Sequence, residues 1–93
     1  MASTIFAAET REPKIELKQA LAKAGEYIAD KKIDVSTLFL ASIYRSESIK
    51  NPKQNCWTII WAPKALYILD GELRVYIYDD GRIEHGVSER RDR

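Results

Sequence analysis

From Ile15 onward the chain carries apolar residues at Leu17, Ala20, Leu21, Ala24, Tyr27 and Ile28, with Lys18, Lys23, Glu26 and Asp30 between them. Steps of three and four put the first set on one helical face and the second on the opposite face, which predicts a half-buried helix over residues 16–31. At 1.5 Å per residue it is roughly 24 Å long. Glu16 and Gln19, with Ile15 ahead of them, resemble a capping box that lacks its usual Ser or Thr, while Pro13 is an alternative occupant of the first turn. Gly25 inside the helix costs up to about 1 kcal/mol relative to Ala. The expectation is that it marks a close approach of the helix to a sheet.

After Asp34 the period changes. Residues 35–47 (VSTLFLASIYRSE) are β-branched and aromatic and too apolar on both sides for clean alternation, which predicts a central strand. The polar stretch 46–55, with its Asn-Pro pair, reads as a loop. Residues 56–62 alternate strictly, with Trp57, Ile59 and Trp61 on one face and Cys56, Thr58, Ile60 and Ala62 on the other. Pro63 ends this strand or marks a bulge. Residues 64–69 are a short edge strand or an extended loop, and Asp70-Gly71 turns the chain.

Residues 72–78 alternate again, with Leu73, Val75 and Ile77 against Arg74, Tyr76 and Tyr78. The turn that follows, Asp79-Asp80-Gly81, sets the register of the last strand. A two-residue loop would place Glu84 opposite Ile77 on the apolar face, where desolvation costs several kcal/mol. A three-residue loop with Gly81 left-handed places Ile83 there instead and sets Glu84 opposite Tyr76. The second register, a type I turn with a glycine bulge, is the one expected. One helix followed by three or four antiparallel strands is an α+β domain, with the helix across one face of a curled meander sheet. Residues 1–13 read as a tail, 14–87 as the single domain and 88–93 as a charged tail.

Length and charge narrow the function classes. Ninety-three residues, 45% hydrophobic and 31% charged, suit one globular domain with a thin core. The net charge of +1 supplies no long-range field toward nucleic acid, and no apolar run approaches the roughly 18 residues of a membrane span. Neither nucleic acid binding nor membrane insertion is expected. The opening MASTIFAAETREP lacks a basic n-region and is not a signal peptide as it stands. The expected location is periplasmic or secreted if an export signal has been removed upstream, and cytoplasmic otherwise.

Candidate chemistry is sparse. Cys56 and His85 are the sole cysteine and histidine, so a thiol-imidazole pair is formally available to a small enzyme, but no oxyanion-hole segment accompanies them. Asp79, Asp80, Glu84 and His85 lack calcium-loop or zinc spacing, and Asp-Asp-Gly is ordinary turn composition. The four glycines stand singly, so no phosphate loop is present, and no metal or cofactor is expected. What remains is a strand face. If the helix covers the Trp57, Leu73, Val75 and Ile77 side, then Thr58, Ile60, Arg74, Tyr76 and Tyr78 form the opposite face, rich in the Tyr and Arg that anchor protein interfaces.

The helix IELKQALAKAGEYI followed by GELRVYIYDDGRIEHG resembles the PepSY-like and wider cystatin-like small domains over residues 14–87. The resemblance implies one helix on an antiparallel sheet, export, and a non-enzymatic role regulating a peptidase. The cystatin Gln-x-Val-x-Gly inhibitory loop is absent, and no functional residue carries over. The expected function is a non-enzymatic module presenting a sheet face to a protein partner. An immunity protein neutralising a toxin, the Cys56/His85 enzyme, and self-association through a sheet face or edge strand are the alternatives.

Overall fold

The computed structural model describes residues 12–65 and 71–88. Helix α1 (Leu17–Asp30) precedes four strands, β1 (Leu38–Ser46), β2 (Cys56–Pro63), β3 (Glu72–Tyr78) and β4 (Ile83–Ser88), with a 3₁₀ turn at Pro52–Gln54. The strands form one antiparallel sheet in chain order, β1-β2-β3-β4, and α1 packs on one face of it. This is the expected α+β meander. Residues 1–11, 66–70 and 89–93, which contain most of the expected tails and of the 64–69 segment, lie outside the described residues.

The helix begins where the capping pattern placed it, with the Glu16 amide donating to Gln19 Oε1 at 3.0 Å. Ala20, Ala24 and Ile28 bury one stripe of α1 against Ile59, Leu73, Val75 and Ile77, all essentially inaccessible, and Ile15 closes the near end of this core. Two alanines on the contact stripe let the helix lie close to the sheet without a large side chain between them. Gly25 is not part of that approach. It faces solvent, and a Cβ built there meets nothing within 4 Å, so close packing does not explain the glycine. Gly25→Ala is therefore expected to stabilise the protein by about 0.5–1 kcal/mol, through helix propensity and a less flexible unfolded chain. Chemical denaturation would check this; a loss of stability would show a contact at position 25 that the fold does not contain.

Strand β1 differs from expectation in its place. Among the described residues it is an edge strand, because a meander in chain order leaves its first strand with one neighbour. Its apolar residues on both sides do not reflect burial on both sides. Ile43 and Leu38 pack against the core, while Phe39, Leu40 and Tyr44 remain close to half exposed. A β-bulge at Ala41 interrupts the pairing between Leu40↔Trp61 and Ser42↔Ile60. Leu40 and Ile43 consequently share the helix side, and Phe39, Ser42 and Tyr44 share the other.

The β3–β4 turn takes the register that spares Glu84. Ile77 pairs with Ile83 and Tyr76 with Glu84. The Gly81 amide donates to the Tyr78 carbonyl at 3.0 Å, the Tyr78 amide donates to the Arg82 carbonyl at 2.9 Å, and Gly81 has φ +95°. These bonds define a three-residue loop with a left-handed glycine, a conformation that other residues adopt only at a cost. Strand β4 runs through Ser88, one residue into the segment expected as tail.

Candidate functional site

Cross-strand partners share a face of the sheet, so the register assigns every side chain to one side or the other. The face away from α1, helix-free among the described residues, carries Phe39, Ser42, Tyr44 and Ser46 from β1, Cys56, Thr58, Ile60 and Ala62 from β2, Glu72, Arg74, Tyr76 and Tyr78 from β3, and Glu84 and Gly86 from β4. All five residues expected to meet a partner, Thr58, Ile60, Arg74, Tyr76 and Tyr78, stand together on it. They are not equally accessible.

At one end the face is closed over itself. Thr58 is 2% exposed; its hydroxyl lies 3.2 Å from Ser46 Oγ and 3.8 Å from Cys56 Sγ, and the thiol is likewise buried. Tyr78 is 8% exposed, because the Arg82 guanidinium lies 4.1 Å from its ring centroid. Its hydroxyl donates to Glu84 Oε1 at 3.2 Å. Burial first, and the neighbouring Glu84 carboxylate second, push the Tyr78 phenol above its ordinary value. The phenol therefore stays protonated as a donor to Glu84. Thr58 and Tyr78 support the face from beneath and offer a partner little area.

The accessible part is displaced toward β1. Tyr76 and Ile60 are half-buried, and Arg74 lies beside them with its Nη2 3.3 Å from Glu72 Oε1. Hydrogen bonding to Glu72 raises the Arg74 pKa further, so its charge is permanent. Opposite Arg74 stands Gly86, which contributes no side chain and leaves a shallow notch lined by Arg74, Tyr76, Gly86 and Val87. Phe39 and Tyr44 complete the surface, at 49% and 46% exposure. Neither belonged to the expected site. Their place follows from the bulge at Ala41, which alternation alone does not reveal.

The other candidate chemistry is dispersed. Cys56 pairs with Tyr78 on the helix-free face, whereas His85 pairs with Val75 on the helix side, where its Nδ1 shares a 2.7 Å hydrogen bond with the Tyr27 hydroxyl. The sheet stands between thiol and imidazole, so the fold does not assemble the Cys56/His85 pair. Asp79 is engaged with Arg45, and Asp80 caps the hairpin by accepting from the Arg82 amide at 3.0 Å. That bond, above all, lowers the Asp80 pKa. A cleft at the hairpin end of the sheet is lined by charges of both signs, including Lys14, Arg45, Lys53, Asp79 and Asp80. Among the described residues no group of three or more His, Cys, Asp or Glu is placed to hold a metal ion, and no helix is long and apolar enough to cross a membrane.

The fold and this face together define a small α+β domain with one sheet surface under α1 and one that no helix covers among the described residues. No family model matches the chain, and neither a curated protein nor a solved structure matches it.

Proposed function

We propose that the chain is a non-enzymatic binding domain that docks the β1 side of its helix-free sheet face onto a protein partner. One observation carries this reading: Phe39 and Tyr44, nearly half exposed, lie on the same face as Ile60, Tyr76 and Arg74, while α1 covers the opposite face. Aromatic rings around a permanently charged arginine combine apolar area with directional polar contact, the mixture that dominates interface hot spots. The resemblance to PepSY-like domains proposes a peptidase as that partner.

The test compares binding of the wild type and of Tyr44→Ala/Tyr76→Ala to a partner recovered from the native source. The expected result is at least a tenfold loss of affinity for the double variant, with Lys18→Ala on the exposed side of α1 as the neutral control. Equal affinity of all three proteins would remove the face assignment.

A further inference from the structure

We infer that β1 is the seam of a two-fold symmetric dimer, formed by antiparallel pairing of this strand with β1 of a second copy. This interface lies at the sheet's edge and does not rest on the docking of a partner to its face.

Among the described residues β1 pairs with β2 alone, so along its outer edge the backbone amides and carbonyls find no strand partner. Such an edge is a template for another strand, and natural proteins blunt it with charges or proline. Here Leu38 to Tyr44 (LFLASIY) contains neither. The opposite edge is different: β4 carries Glu84 and His85 within six residues and a glycine at position 86. The one charge of β1, Arg45, is drawn back over the sheet to Asp79, so this edge is otherwise uncharged while the other is polar, which favours closure of β1 on itself over head-to-tail stacking of β1 on β4.

The bulge decides the register. In a regular strand, laying residues 39–44 antiparallel on their own copy about an axis between Ala41 and Ser42 would set residues of opposite faces against each other. The extra residue at Ala41 shifts the alternation by one. Phe39 then falls opposite Tyr44 of the second copy, both on the helix-free face, and Leu40 falls opposite Ile43 of the second copy, both on the helix side. Phe39, Leu40 and Tyr44 are three of the large apolar residues that the single chain leaves close to half exposed, and this register gives each an apolar neighbour. No like charges meet between residues 39 and 44. A bulge that would ordinarily protect an edge makes this one self-complementary. The resulting sheet has eight strands, and its helix-free face is continuous across the seam.

Light scattering on the full chain, coupled to size exclusion over a micromolar to millimolar series, reads the assembly. A mass approaching twice the 10.7 kDa of one chain is expected as concentration rises. Ser42→Lys sets two ammonium groups beside the axis and is expected to weaken the dimer at least tenfold; Ser42→Glu should do the same. An equimolar mixture of the two variants should restore the dimer, which a folding defect in either would not. In the wild type, exchange of the β1 amides that point away from β2 should slow with concentration while exchange in β4 does not. A single-chain mass throughout the series would overturn the inference. So would a dimer indifferent to both charges, or protection in the monomer of the β1 amides that point away from β2, which would place another segment of the chain on this edge.

Discussion

Trp57→Ala is expected to lower the unfolding free energy by about 3–5 kcal/mol, read from the midpoint of urea denaturation at an unchanged slope. Three separate contacts are lost together. The indole ring packs on the helix-side core beside Ile77, its cross-strand neighbour. Its Nε1 donates to the Ile15 carbonyl at 2.6 Å, which fastens the segment entering α1 to the second strand across 42 positions of sequence. Its ring also receives the Arg45 guanidinium, 5.5 Å from the centroid. In a domain this small, removal of one large aromatic leaves a cavity that few neighbours can refill. Trp57→Phe separates the terms, since it keeps most of the apolar volume and deletes the donor; about 1 kcal/mol of loss is expected for the orphaned carbonyl. A Trp57→Ala protein within about 1 kcal/mol of wild type would mean that the ring is not part of the core.

The alternation of Cys56–Pro63 and of Glu72–Tyr78 makes that core readable in the sequence. Period-two patterns assign faces directly, and the desolvation cost of Glu84 was enough to choose between two hairpin registers. The helix was legible for the same reason: a single apolar stripe with a capping pair at its start fixes both its face and its first turn. Strand β1 was not, because an apolar side chain signals burial only when something covers it. Phe39, Leu40 and Tyr44 are apolar on a strand whose outer edge finds no strand among the described residues, so composition pointed to the sheet centre while topology put the strand at the rim. The candidate site was drawn without Phe39 and Tyr44 for the same reason. Its members stand on one face, but a face is not a surface: Thr58 meets Ser46 and Cys56, and Tyr78 lies under Arg82, contacts that alternation along a strand does not show. Gly25 shows the converse limit, a residue whose pattern suggested a packing reason that the fold does not supply.

Arg45→Ala is expected to cost about 2 kcal/mol, between the roughly 0–1 kcal/mol of a solvated ion pair and the 3–5 kcal/mol of breaking a fully buried one. The side chain is one no apolar pattern would single out. It projects to the helix side of β1, opposite Trp57, and reaches beyond β2 to the β3–β4 turn, where Nη1 and Nη2 donate to the two carboxylate oxygens of Asp79 at 2.9 and 2.7 Å. The parallel pair of bonds, with side-chain exposures of 16% and 21%, places it in the partly desolvated regime. Hydrogen bonding to Asp79 raises the Arg45 pKa against the opposing effect of burial, and Glu47 stands 3.5 Å from Nε. The guanidinium thus joins the edge strand, the central indole and the hairpin turn in one contact. Arg45→Lys retains the charge but not the fork or the flat surface over Trp57, and should recover less than half of the loss. A double-mutant cycle of Arg45→Ala with Asp79→Ala would isolate the pair, with a coupling of about 1–2 kcal/mol expected, diminished but not abolished by molar salt. Additive losses would instead assign the effect to packing of the arginine stem on Trp57.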